Sequence, residues 1–211
     1  MSRVWIFDLD DTLHDASAHI FPVMNQAMTQ YIMDHLKLNE DDANTLRHHY
    51  WGTYGATMKG LTRHHAINPR HFMHETHQFP DLAQRVVQRK MLRNCLQRLS
   101  GRKVVFTNAP MSYALRVLKL LGIDDMFETV FSVESTRFHP KPSVRGFKQL
   151  LRAIGAKAED CVMLEDNLPA LKTAKRLGMK TVYVTKRMHK PNYVDSRINS
   201  VLALTRTQLG N

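Results

Sequence analysis

Five short runs of the chain are apolar with almost no alternation, and each is cut off by polar residues. Arg3-Val4-Trp5-Ile6-Phe7 runs straight into aspartates, and Lys103-Val104-Val105-Phe106 into Thr107-Asn108-Ala109-Pro110. Thr129-Val130-Phe131-Ser132, Cys161-Val162-Met163-Leu164 and Lys180-Thr181-Val182-Tyr183-Val184 complete the set. Runs of this length and β-branched character predict strands buried on both faces. Between them the period lengthens. Leu115, Leu118 and Leu121 recur in Tyr113 to Leu121, and Val144, Phe147, Leu150, Leu151 and Ile154 recur in Ser143 to Ile154. A third helical stretch runs from Leu168 to Leu177, and each of the three stops at a glycine: Gly122, Gly155 or Gly178.

Strands alternating with helices predict an α/β fold, a Rossmann-like parallel sheet with helices on both faces. Residues 17–99 break the alternation directly after the first strand. They lack strand-like runs and carry a helical pattern, as in Ile20, Val23, Met24, Ala27, Met28, Tyr31 and Ile32. We therefore expect a small helical cap of residues 17–99 inserted in a core of residues 1–16 and 100–211. Ser196 to Leu209 suggests an edge strand or a short helix.

In a parallel sheet the ligand sits beyond the carboxyl ends of the strands. Asp8 and Asp10 follow the first strand, Thr107 and Asn108 the second, and Glu165 and Asp166 the fourth; Lys141, between Pro140 and Pro142, lies in the loop after the third. Carboxylates two residues apart on a strand end point the same way. Such a pair suits phosphoryl transfer, one attacking phosphorus while the other manages the proton. A lysine, a threonine hydroxyl and an amide suit the anionic oxygens of the phosphoryl group. Further carboxylates make an oxygen-rich site of the kind Mg²⁺ prefers. Each feature alone has an ordinary explanation, as a turn, a solvated charge or a helix cap.

Together, Phe7-Asp8-Leu9-Asp10-Asp11-Thr12-Leu13, Phe106-Thr107-Asn108, His139-Pro140-Lys141-Pro142 and Leu164-Glu165-Asp166-Asn167 resemble the four motifs of the haloacid dehalogenase-like hydrolase superfamily. The resemblance implies Asp8 as nucleophile, Asp10 as general acid/base, and Thr107 and Lys141 as phosphate ligands. It also implies Mg²⁺ on Asp8, Asp166 and the main-chain carbonyl of Asp10. An aspartate at position 10 is similar to the phosphatases and phosphomutases of that superfamily rather than its dehalogenases or ion pumps. Thr107-Asn108-Ala109, Leu120-Leu121-Gly122-Ile123, Tyr54-Gly55-Ala56-Thr57 and Gly60-Leu61 are further similar to its pyrimidine 5'-nucleotidase branch. That likeness implies a nucleoside monophosphate as substrate; Tyr54, by stacking, and Lys59 or His65, by hydrogen bonding, are the candidates to meet its base or sugar. Another small phosphate ester, a sugar phosphate or phosphoglycolate, is the alternative.

Composition narrows the classes. A formal charge of +11 raises nucleic acid as a partner, but the 30 Lys and Arg are dispersed along 211 residues and no recognition module is apparent. The same charge attracts small anions. Two cysteines, Cys95 and Cys161, cannot build a disulfide framework and suit a reducing cytoplasm. No apolar run is long enough for a membrane span, and Val4 to Phe7 is too short for a secretion signal. The cap is rich in histidine: His48-His49, His64-His65, His71, His74 and His77. Adjacent histidines diverge on a helix, so polar helix faces are expected rather than a transition-metal site. Only His71, His74 and His77 share a spacing. A catalytically silent binding protein has no need of both Asp8 and Asp10.

Overall fold

A computed structural model describes residues 3–87 and 90–207. Its centre is a six-stranded, wholly parallel sheet of β1 (Val4–Phe7), β2 (Arg102–Phe106), β3 (Thr129–Phe131), β4 (Cys161–Glu165), β5 (Lys180–Val184) and β6 (Ser196–Ile198). The spatial order is β3-β2-β1-β4-β5-β6. The order reverses between β1 and β4, where the carboxyl ends of adjacent strands splay into a crevice.

The strands read as unbroken apolar runs because both faces are covered. Trp5 and Phe7 of β1 join Val105, Leu164 and Val182 in one cluster, whereas Val4 and Ile6 join Phe106, Met163 and Tyr183 in another. Successive side chains of a strand point to opposite faces, which produces this split. Three helices of the core follow β2, β3 and β4: α8 (Met111–Leu120), α9 (Val144–Ile154) and α10 (Leu168–Arg176). The first covers one face with Tyr113, Ala114, Val117 and Leu118. The other two cover the second face through Phe147, Leu150, Ile154, Leu171 and Ala174. The leucine spacing of α8 pointed to the wrong stripe. Leu115 is exposed, and the buried stripe is 113, 114, 117 and 118, as a 3.6-residue turn requires. The two expectations for the C-terminal segment are both met in part. β6 is followed by a 3₁₀ turn over Val201–Arg206, and Leu209 lies outside the described residues.

Between β1 and β2 the regular elements of the described chain are all helices: α1 (Ala16–His19), α2 (Phe21–Leu36), α3 (Glu40–Tyr54), α4 (Thr57–His65), α5 (Pro69–Thr76), α6 (Leu82–Arg85) and α7 (Leu92–Arg98). Its starts are written locally. The Asn39 side chain accepts from Asp42 N–H, with Glu40, Asp41 and Asp42 in the first turn of α3. Asn68 caps α5, and Pro69 takes the first helical position. Burial divides this insertion. Ala16, Ile20, Met24, Leu82, Leu92 and Leu96 belong to the cluster under the sheet, whereas Tyr31, Ile32, Ala43, Tyr50, Leu61 and Phe72 form a cluster of their own.

Two glycines set how closely that second cluster packs. A Cβ on Gly60 would stand 2.1–2.5 Å from the ring of Tyr50, so the crossing of α3 and α4 depends on its absence. Gly55 has φ +77°, and a Cβ there would meet Pro142 Cδ at 2.5 Å. Alanine is the better helix former by roughly 1 kcal/mol. Overpacking a fixed ring costs about 1–3 kcal/mol, so Gly60→Ala is expected to lower the melting temperature. An unchanged or raised melting temperature would contradict the packing described.

Candidate active site

The register of β1 carries Asp8 to the crevice. Its N–H donates to Leu164 O at 3.0 Å, one step beyond the strand, so the backbone there is held on β4. The chain then turns over Leu9, whose carbonyl accepts from Leu13 N–H at 2.9 Å, with Leu9 and Leu13 both buried. This turn brings Asp10 back to the site. Asp10 Oδ1 accepts from the Tyr113 hydroxyl at 2.7 Å and lies 2.8 Å from His14 Nε2. Asp11 turns elsewhere, accepting from Ser17 N–H and its hydroxyl at the start of α1.

Lys141 is 4% exposed, and its ammonium donates to Asp8 Oδ1 and to Glu165 Oε2, both at 2.6 Å. Its backbone is fixed by Asn108. Lys141 N–H donates to Asn108 Oδ1 at 2.7 Å, and Asn108 Nδ2 donates to Lys141 O at 3.0 Å. Glu165 uses its other oxygen to accept from the N–H groups of Asp166 and Asn167 at 3.1 Å. Asn167 caps α10 by accepting from Ala170 N–H. Thr107 is buried at the end of β2 and its Oγ1 accepts from Ala109 N–H at 3.0 Å, so its hydroxyl hydrogen remains for another acceptor.

Asp8, Glu165 and Asp166 can each place an oxygen within 4.8 Å of the others. Three carboxylates against one ammonium is an uneven balance. Burial first, and then Glu165, push Asp8 up from its ordinary range, while Lys141 draws it back. Burial, Glu165 and Asp8 push Asp166 up as well. Burial alone would lower Lys141, but Asp8 and Glu165 outweigh it and hold the ammonium above its usual value. An all-oxygen set with surplus negative charge is the donor chemistry of a hard divalent cation, so these residues fit Mg²⁺.

A cavity of about 380 Å³ opens above this floor, in the size range of small-molecule sites. Asp8, Asp10, Thr107, Asn108, Lys141 and Asp166 line its base, and Met24, Met28, Phe72 and Met73 give it an apolar wall from the helical insertion. His77 also lines it. Burial holds that ring down at about 4, against the pull of Asp10, so it stays neutral at physiological pH.

The three cap residues expected from sequence to meet a base or sugar do not line this cavity. The Tyr54 hydroxyl pairs with His64 Nε2 at 2.6 Å, and Lys59 Nζ stands 3.5 Å from His139 Nδ1. His65 Nε2 pairs with the Tyr50 hydroxyl at 2.7 Å. Asn108 holds the Lys141 loop, so its amide is already engaged. The evenly spaced histidines part company too: His71 meets Tyr31, His74 meets Glu75, and His77 faces Met73 O. Among the described residues the acidic trio is the one set able to share a metal. Sequence reading did not single out His14, Tyr113 or the α3 residues Arg47 and Trp51, and took His48 only as one of the cap histidines. Only His14, four residues after Asp10, carried a positional signal.

Three carboxylates and a buried lysine thus meet at the switch point of a parallel sheet, under a helical insertion. Residues 5–184 match the model of the haloacid dehalogenase-like hydrolase family, and the chain belongs to it. It is 26% identical to phosphate metabolism protein 8 of Saccharomyces cerevisiae over 84% of this chain, and spans 60% of that longer protein. Its fold is similar to a HAD phosphatase from Thermococcus onnurineus, with TM-score 0.69, 19% identity, and 100% and 99% of the two chains covered. It is also similar to the magnesium-bound HAD hydrolase YfnB of Bacillus subtilis, with TM-score 0.63, 16% identity and 97% of each chain covered. No helix among the described residues is long and apolar enough to cross a membrane.

Proposed function

We propose that this protein is a Mg²⁺-dependent phosphatase that hydrolyses a small phosphate ester through a phosphoryl group carried on Asp8. The observation that carries the reading is the double contact of Lys141 with Asp8 and Glu165 beside Asp166. It fixes one oxygen of Asp8 and leaves the carboxylate next to a cation that can take up phosphoryl charge. In the first step an oxygen of Asp8 attacks phosphorus, and the ester P–O bond breaks. The leaving oxygen takes its proton from Asp10. In the second step Asp10 accepts a proton from water; that water's oxygen attacks phosphorus, and the bond to Asp8 breaks. Tyr113 and His14 hold Asp10 by one oxygen and leave the other for the proton. Thr107 and Lys141 grip the phosphoryl oxygens. Mg²⁺ held by Asp8, Asp166 and the Asp10 carbonyl would neutralise the charge that gathers on the phosphoryl group. Within the insertion of residues 17–99, the part from Tyr31 to Met73 that packs on itself acts as the cap over the site, while its two ends pack on the core of residues 1–16 and 100–211, and the unpaired, buried cysteines suit a cytoplasmic setting.

The finer reading is a nucleoside monophosphate as substrate, by the likeness to the pyrimidine 5'-nucleotidase branch. The names of the relatives are consistent with phosphate-ester chemistry. Part of the motif that supports the likeness has a packing origin, since Gly55 and Gly60 serve close approaches. A screen of nucleoside monophosphates against sugar phosphates and phosphoglycolate tests it. UMP or CMP should lead, and a sugar phosphate favoured more than about tenfold, or 1.4 kcal/mol in transition-state binding, would defeat the nucleotide reading while leaving the phosphatase intact.

EDTA is expected to abolish turnover and Mg²⁺ to restore it; turnover in the chelated protein would contradict the site. The pH dependence has a definite sign. Asp8 and Asp166 are held above their ordinary range, so they carry protons that a cation must displace. Mg²⁺ affinity, read by calorimetry, should therefore rise as pH increases from 6 to 8. A flat or falling affinity would show that these carboxylates are already ionised without metal.

A further inference from the structure

One cation on the cavity wall has no counter-ion among the described residues. Arg47 of α3 is 9% exposed and lines the cavity that holds Asp8. Its Nε donates to Thr29 Oγ1 at 3.1 Å and its Nη1 to Asn25 Oδ1 at 2.9 Å. Its Nη2 donates to Asn44 Oδ1 at 3.3 Å and lies 3.0 Å from His48 Nε2. None of the four partners is a carboxylate, and among the described residues no carboxylate forms an ion pair with it. Buried charges are normally matched, because leaving water is costly for an unpaired ion. This network holds the guanidinium in one orientation and supplies no carboxylate to cancel its charge. With five N–H donors and four contacts, at least one donor is not taken by these partners.

A second residue of the same helix points to the shape of that acceptor. Trp51 lies one turn from Arg47, on the same face, and lines the same cavity, yet is 59% exposed. A large aromatic ring left open beside fixed polar groups is suited to stacking against a flat partner. Arg47 and Trp51 together read a planar ring that carries an acceptor oxygen.

We propose that Arg47 and Trp51 are the specificity-determining residues for the leaving group, which they recognise as an aromatic ring bearing carbonyl oxygen, as a pyrimidine base does. This rests on the phosphatase reading above and assigns the recognition to Arg47 and Trp51 in place of Tyr54, Lys59 and His65. The acidic floor handles the phosphoryl group, and α3 handles what is attached to it.

The test is the ratio of kcat/KM for UMP to that for ribose 5-phosphate, which lacks only the base, in the wild-type protein and in three variants. Wild type should favour UMP at least tenfold. Arg47→Met and Trp51→Ala should each lower that ratio at least fivefold, and Arg47→Lys should recover part of it by keeping the charge. A merely structural role for Arg47 would depress both substrates alike and leave the ratio unmoved, which overturns the proposal. Trp51→Ala removes an exposed side chain, so its ratio decides the matter should Arg47→Met fail to fold. A wild-type ratio near one also overturns the proposal. So does a substrate with a second phosphate or a carboxylate that outcompetes UMP and loses most on Arg47→Met. Phenyl phosphate separates the two failures: its turnover with an unmoved ratio sinks this inference alone, and no turnover of any ester sinks the phosphatase reading with it.

Discussion

Asp8→Asn is expected to reduce hydrolysis of any phosphate ester by about 10⁴-fold or more, with the fold retained. Removing a covalent nucleophile removes the pathway itself, and losses of that order follow when a group acting in concert with its neighbours is deleted. The amide has the same shape as the carboxylate, and the backbone of Asp8 stays tied to Leu164 O. Asparagine also relieves the crowding with Glu165 that pushes the native carboxyl up. Stability should therefore be equal to or above that of the native chain in the absence of metal. Circular dichroism and a thermal melt would verify the fold, and phosphate release the activity. Residual turnover within about 100-fold of wild type would mean that another residue attacks phosphorus.

Lys141→Met combines a catalytic and a structural loss. The ammonium balances Asp8 and Glu165 in a site with almost no solvent, and methionine preserves length and apolar contact while deleting the charge. Taking one partner from a buried ion pair costs about 3–5 kcal/mol, reduced here to the extent that Asp8 and Asp166 can hold protons. The sign with pH is definite. Without Lys141 the carboxylates rise further, so the variant should lose more stability as pH increases from the ordinary carboxylate range towards 8. Activity should fall on the order of 10³-fold, as when a charge that stabilises a transferring phosphoryl group is removed. Urea melts at pH 5 and pH 8 test the stability term. A variant as stable as the native chain at both values would contradict the balance of charge described.

The core was legible because its physics is local. Strands buried on two faces must be apolar along their whole length, and polar residues at their ends stand out against that background. Asp8, Asp10, Lys141 and Asp166, which line one cavity, stand out in this way, each at a strand end or in a proline-stiffened loop. Tyr113 was not, because its contact with Asp10 depends on the rotation of α8 against the sheet, which the leucine spacing misrepresented. The cap was least legible. Its side chains reach the cavity according to how α2, α3 and α5 pack on one another, and that is a property of tertiary contacts. Tyr54 is one turn from Trp51, and sequence alone gave no reason to prefer the second over the first. Asn108 illustrates a further limit: an amide at a strand end suits a phosphate, yet here both its polar atoms serve the Lys141 backbone.

The central claim is that the phosphoryl group is carried by Asp8. Acid quenching during turnover of an aryl phosphate, followed by peptide mass mapping, tests it most directly. The account predicts a phosphoryl increment on the peptide containing Asp8, released by hydroxylamine and absent from Asp8→Asn. A phosphoryl group found on any other side chain would contradict it.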